Sequence, residues 1–388
     1  MKSKKEAVLN IGSEKLSLVV IDEKYPSSFI YESFKEYSGY QNGEFLEKHE
    51  LFSTLSSMIQ ESEAAIFSKL ENILIGVPGE FTITSVRDVQ TQLSQTRRKV
   101  QPKDAQGLLL HAAPEATDKF IPINASPIFY VLDGNEKTLN PEGSYAQYLG
   151  AKVSFILCEK YFIDLFSSIF ESIGRKIEYT STLLAETMFL LPHTARDRGS
   201  FLLDIGYIST SLAYSKGDGI LFLKSFSLGG GFIAADLMEV LKIPYEHAYA
   251  LKSKINLNLN PINSDMYYIT VNDGNYAYPI KKVNEIATAR VQDICNYVKQ
   301  AIGLLPYDTH EFTTVYLTGS GFDNVVGSRE ILSKIIEMNV EIIGPSLIQY
   351  DKLSYAGLSS LLSLKRSQAK VSFGSKIKSY LKNIFRRG

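Results

Sequence analysis

The sequence predicts an α/β protein of two similar lobes facing each other across a cleft, with a small α+β insertion in the first lobe. Three observations predict it. A β-hairpin with a D/N-I-G turn occurs twice, as LNIGSEKLSLVV at 9–20 and LDIGYISTSLAY at 203–214. Helical patterns follow each hairpin. Between about Thr84 and Leu157 the texture changes to strand-like runs separated by polar loops. Lobes that open on the same hairpin bring both glycine turns to one cleft. The 388 residues are enough for two or more domains or subdomains.

Residues 6–22 are rich in Val, Leu and Ile and are broken at Gly12, which reads as two strands and a tight turn. Leu46, Leu51, Leu55, Met58 and Ile59 share one side of a helix over 46–70. ILIGVP at 73–78 is a buried strand stopped by Pro78 and Gly79. FTITSVRDV, IFYVLDG and AKVSFILC are strands of the insertion, and a helix starts near Pro102. YFIDLFSSIFESIG at 161–174 is an apolar helix ended by Gly174. A second helix covers about 181–191 and stops at Pro192, and HTARDRG after it reads as a polar hinge. Past the second hairpin, helices are expected at 232–242, 245–253, 283–303 and 328–338. VYLTGSG at 315–321 is a buried strand running into a glycine turn.

Hydrophobic residues make up 45% of the chain and charged residues 21%, which supports a large core. A net charge of −1 gives no global field for nucleic acid. Cys158 and Cys295 lie in apolar segments and read as buried thiols in a reducing compartment. His49, His111, His193, His247 and His310 show no metal-ligand spacing. MKSKK resembles the start of a signal peptide, but Asn10, Glu14 and Lys15 interrupt the apolar stretch behind it. No run of 18 apolar residues is present, so no transmembrane helix is expected.

The basic residues cluster at Arg97, Arg98 and Lys99 and at the C-terminus. There, Phe373, Ile377, Tyr380, Leu381, Ile384 and Phe385 recur at three- and four-residue steps. Lys376, Lys378, Lys382, Arg386 and Arg387 fall on the other face, with no acid among them. A helix over 375–388 is too short and too charged to span a bilayer. Its pattern suits an interfacial helix, apolar side down and basic side toward anionic head groups.

Taken in order, these segments resemble the actin–hexokinase–Hsp70 ATPase superfamily and, within it, the bacterial cell-division family FtsA. Asn10, Gly12, Ser13, Glu14 and Lys15 stand in the positions of the family's first phosphate loop. LLDIGYISTS, with Asp204, Gly206, Ser209 and Thr210, is similar to its second, and VYLTGSGFDNVVG, with Gly319 and Gly321, to its adenosine motif. Ser227 to Lys252, including Gly229, Gly230 and Lys252, resembles the segment leading into the upper second lobe. The insertion and the terminal helix are also FtsA features. The resemblance implies an actin-like, ribonuclease H-like fold of duplicated lobes around a nucleotide cleft. Residues 1–83 and 158–195 would form the first lobe and 84–157 the inserted subdomain. The second lobe would be 196–364 (upper part about 230–310), followed by a linker at 365–374 and a membrane-targeting helix at 375–388. It implies ATP with Mg²⁺, the metal held through water by Asp204, and Glu186 as the residue that positions the attacking water. It further implies FtsZ, anionic lipid, other division proteins at the inserted subdomain and further copies of the chain as partners, with no nucleic acid. The location implied is the cytoplasmic side of the cell membrane at the division septum.

The loops depart from that pattern. Asn10 stands where the family has Asp, and an amide brings no charge to a hydrated metal. Tyr207 and Ile208 replace glycines, Ser211 replaces an aspartate, and Ser320 separates Gly319 from Gly321. The expectation is a retained fold with weakened hydrolysis. Two rival readings share the fold, a PilM-like pilus-assembly protein and a small-molecule kinase. The first has no need of an interfacial anchor. The second needs a carboxylate base, for which Asp204 is the obvious residue.

Overall fold

The computed structural model describes residues 4–22, 29–309 and 312–371, excepting the side chains of 369–371. The expected interfacial helix, with Phe373, Ile377, Lys378, Tyr380, Leu381, Lys382, Ile384, Phe385, Arg386 and Arg387, lies outside the described residues.

Each lobe is organised by a five-stranded sheet, and the two sheets have the same order. In the first lobe, Lys5–Ile11 pairs antiparallel with Lys15–Asp22, which pairs antiparallel with Phe29–Glu36. On its other side Lys5–Ile11 pairs parallel with Asn72–Val77, and that strand pairs parallel with Ile177–Ser181. In the second lobe, Ser200–Ile205, Thr210–Lys216 and Gly219–Phe226 form the antiparallel part. Thr314–Thr318 and Asn339–Ile342 add the parallel part. A central strand buried on both faces reads as an unbroken apolar run rather than an alternation. Lys15–Asp22, KLSLVVID, is such a strand, buried from Leu16 onward.

Helices cover the sheets. Lys48–Ala65 buries Leu51, Leu55, Met58 and Ile59, while Leu46 lies before the helix and is exposed. Lys160–Ser172 buries Phe162, Phe166, Ile169 and Phe170 on one face. It ends where Gly174 turns to φ +66 and Arg175 N–H donates to Phe170 O at 2.9 Å, a left-handed exit that glycine adopts without strain. In the second lobe the long helix Ile280–Gly303 packs beside Gly231–Leu241 and Ser328–Ile336.

The insertion is a four-stranded antiparallel sheet of Thr82–Gln92, Phe120–Leu132, Glu136–Thr138 and Tyr148–Glu159, with the helix Pro102–Ala112 on it. It also leans on the second lobe. Ser154 Oγ donates to Ile220 O at 2.5 Å, and Ile128 joins the second lobe's core.

Three expectations need correction. HTARDRG is not a polar hinge: His193–Arg198 is a short helix, and its Arg196 is buried against Asp218, Gly217 O and His193. A buried guanidinium is retained only where such acceptors surround it. The second lobe does not run to 364. The helix Ala356–Val371 returns to the first lobe, where Leu358, Leu361 and Leu362 pack with Val8, Val19 and Leu74. The linker expected at 365–374 is helical as far as Val371, and Lys365 is buried and ion-paired to Glu6 at 3.2 Å. Apolar spacing at 358, 361 and 362 holds this helix down, and the ion pair fixes its later turns.

Candidate functional site

The equivalent strand order places equivalent turns. Gly12 N–H donates to Lys15 O at 3.0 Å, and Gly206 N–H to Ser209 O at 2.8 Å, closing both hairpins. Asn10 pairs with Ser17 one position before the first turn, and Asp204 pairs with Ser211 one position before the second. Asn10 and Asp204 are therefore counterparts, one from each lobe. The turns border an inter-lobe cavity of about 400 Å³, within the ~300–1,000 Å³ of small-molecule sites.

The floor is polar and electrostatically tense. Helix Thr182–Leu190, capped by the Ser181 side chain on Leu184 N–H, carries Glu186 into the cleft, where it is 2% exposed. Burial raises the Glu186 carboxyl well above its usual range, and the charge of Asp204 raises it further. Asp204 is itself pushed up to about 6 by burial. Two carboxyls that cannot easily ionise together hold a proton until a cation joins them. Glu186 Oε2, Asn10 Oδ1 and Thr182 Oγ1 are buried with no hydrogen-bond partner. Such orphaned oxygens are costly unless something fills their valences. These groups fit hydrated Mg²⁺, which prefers oxygen and keeps most of its water. Among the described residues no group of three His, Cys, Asp or Glu forms a dedicated metal cage.

The opposite wall carries Lys252, 7% exposed on helix Tyr245–Lys252. Burial pushes its ammonium down to about 8, against the opposing pull of Glu14 and Asp323. Burial likewise raises the Glu14 carboxyl, which Lys252 partly offsets. A cation and an anion thus face each other from opposite lobes. A phosphate in this space meets Lys252 as a point charge.

Of the residues singled out from the sequence, Asn10, Gly12, Ser13, Glu14, Lys15, Glu186, Asp204, Gly206, Ser209, Lys252 and Gly319 border the cavity. Thr210, Gly229, Gly230 and Gly321 do not. The Thr210 hydroxyl donates to Leu228 O at 2.7 Å. The N–H groups of Gly230, Gly231 and Gly321 donate to the carbonyls of Gly206, Tyr207 and Ile205. The Gly230 and Gly231 N–H groups are thus engaged in close backbone packing. A Cβ on Gly230 would collide with the Gly321 carbonyl. Glu186 is buried rather than solvated. Its helix, TLLAETMFL, has no polar face to offer solvent, and that was the available signal. Lys15 lines the cleft and also lies 5.3 Å over the Phe34 ring. Tyr40, Thr182 and Gly357 border the cavity without belonging to any motif, while Tyr249, Asp323 and Asn324 lie in matched segments but were not singled out.

Tyr207 and Ile208 are not splayed outward. The Tyr207 ring covers Gly231, and its hydroxyl contacts that of Tyr245. Ile208 lies against Gly39 of the first lobe.

Comparisons with known proteins match this geometry. No family model matches the chain. FtsA of Streptococcus pneumoniae serotype 2 is 19% identical over 343 residues, 87% of this chain and 73% of that protein. FtsA of Staphylococcus epidermidis is 22% identical over 249 residues, 62% of this chain and 53% of that protein. Among solved structures, MreB5 of Spiroplasma citri bound to ADP superposes with a TM-score of 0.57 at 9% identity, covering 96% of this chain and 99% of that one. A PilM–PilN type IV pilus biogenesis complex gives 0.56 at 13% identity, covering 94% and 98%. The chain has the actin-like ATPase fold and is similar to FtsA at low identity. In this actin-like frame the duplicated sheets are the two lobes, and the Asn10–Asp204 level is the cleft floor.

Proposed function

We propose that this chain is an actin-like cell-division adaptor. It binds ATP with Mg²⁺ between the lobes, polymerises on the cytoplasmic face of the membrane at the septum, and tethers FtsZ filaments there through the upper second lobe. Division partners dock on the inserted subdomain, and residues 375–388 supply the membrane contact. The observation that carries the reading is the likeness to FtsA over 87% of the chain, with one turn from each lobe bordering the cleft. Asp204 would hold Mg²⁺ through water, Lys252 and Lys15 would face the phosphates, and Glu186 would hold the attacking water. When bound, Mg²⁺ supplies the positive charge that neutralises the phosphates. Asn10 lacks the matching charge, so turnover is expected to be very slow.

A fluorescent ATP analogue should bind weakly, and phosphate release should be barely above background. Fast Mg²⁺-dependent release abolished by Asp204→Ala would show that the loops are competent after all.

Assembly is the second expectation. Lobes joined head to tail form heterologous contacts that do not close. Electron microscopy on lipid monolayers should show filaments. Dispersed particles at every concentration and nucleotide state would remove the polymer from the reading.

A further inference from the structure

The charges that border the cleft do not favour phosphate. Among the described residues they are the acids Glu14, Glu186, Asp204 and Asp323 against Lys15, Lys252 and Lys352. We propose that Glu14 is a specificity residue that sets a carboxylate against the phosphates, so that the cleft binds an adenine nucleotide through its nucleoside end and gains little from each added phosphate. This rests on the nucleotide reading of the cleft and concerns which nucleotide that site prefers.

Glu186 and Asp204 lie together on the floor, where a metal ion can balance them. Asp323 comes from the same lobe as Lys252 and acts on it. Glu14 differs from all three, because it stands within the first turn itself. A hairpin turn attracts an anion through backbone N–H groups that point out of it. The turn Gly12-Ser13-Glu14-Lys15 brings its own anion to that place.

The turn is held so that Glu14 stays there. Tyr37 N–H donates to Glu14 O at 3.1 Å, and the Tyr37 hydroxyl donates to Gly12 O at 2.8 Å. Tyr37 is itself buried. Lys15, next along, is a weak counter-charge. Its Nζ lies over the Phe34 ring, its strand partner is Glu36, and its pull on Glu14 is smaller than the push of Glu36. Lys252, across the cleft, pulls harder on Glu14 than Lys15 does. It is also the ammonium that a phosphate needs. Glu14 and a phosphate therefore compete for one cation. A phosphate that arrives either faces the Glu14 carboxylate or forces a proton onto it, and both lower its affinity. A nucleoside carries no such charge and escapes the penalty. Specificity is a difference of affinities, and a like charge set against one candidate is enough to create it.

Calorimetric titration of the full chain with adenosine, AMP, ADP and ATP, at one Mg²⁺ concentration, tests this. In the wild type, affinity should change little from adenosine to ATP. Glu14→Gln keeps the size and removes the charge. It should tighten ATP by about tenfold, the worth of one like charge removed at short range, and leave adenosine within roughly twofold. Glu14→Ser should do the same and is read instead if the first variant melts early. Glu14→Asp keeps the charge and should keep the wild-type ratio of ATP to adenosine affinity. An unchanged ratio in the neutral variants, an equal gain for adenosine, or weaker ATP binding would each overturn the inference while the nucleotide reading stands. So would a Glu14→Asp protein that behaves as Glu14→Gln, since shape rather than charge would then be the cause. If adenosine and all its phosphates fail to bind the wild type and the neutral variants alike, the nucleotide reading falls and the inference falls with it.

Discussion

Removing residues 375–388 is expected to release the protein from anionic liposomes and leave its melting temperature unchanged. Fully burying a large apolar side chain contributes roughly 1.5–3 kcal/mol. An interfacial helix buries its apolar face only in part and must also be ordered, so the apolar gain should be on the order of several kcal/mol. Each basic residue near an anionic leaflet adds about 1 kcal/mol, screened by salt. Polymerisation multiplies such weak contacts. The body keeps its own closing contacts upstream, in buried Leu361, Leu362 and Lys365. Co-sedimentation at low and high salt measures the loss, and Leu381→Glu with Phe385→Glu should reproduce it. A truncated protein that still pellets with lipid, or melts early, would place the helix in the core and take away the adaptor's anchor.

Asp204→Asn is expected to stabilise the nucleotide-free protein at neutral pH while abolishing Mg²⁺-dependent nucleotide binding. Burial raises the Asp204 carboxyl from 3.8 to about 6, so the folded state binds more protons than the unfolded state in that interval. Stability is then highest below the unfolded value and falls as pH rises through about 4 to 6. Glu186 moves the same way, from burial and from Asp204, and extends the fall to higher pH. At pH 7.5 the Asp204 shift alone costs on the order of 3 kcal/mol, since each tenfold change in proton affinity is about 1.4 kcal/mol. The amide removes that cost. Thermal melts should show the variant ahead of the wild type at pH 7.5 and level with it near pH 4. Equal gains at both pH values would mean that the charge is not the cause. Added Mg²⁺-nucleotide should raise the melting temperature of the wild type only.

The duplication was legible because it is local. Alternating and continuous apolar runs define the strands, and glycine defines the turns. LNIGSEKLSLVV and LDIGYISTSLAY fold into hairpins that pair Asn10 with Ser17 and Asp204 with Ser211. The loss of charge at Asn10 was visible in the same letters. Other features depended on partners far away in the chain. Ser13 meets Ile208 across 195 positions, and nothing in either segment names the other. Nothing in the glycine motifs shows that the N–H groups of Gly230 and Gly321 are spent on the carbonyls of Gly206 and Ile205. The return of Ala356–Val371 to the first lobe turns on leucines that would suit either core. Sequence alone determined the elements and the identity of the groups on both turns. Tertiary structure decided which groups are desolvated, which hydrogen bonds are already made, and so what the cleft has left to offer a ligand.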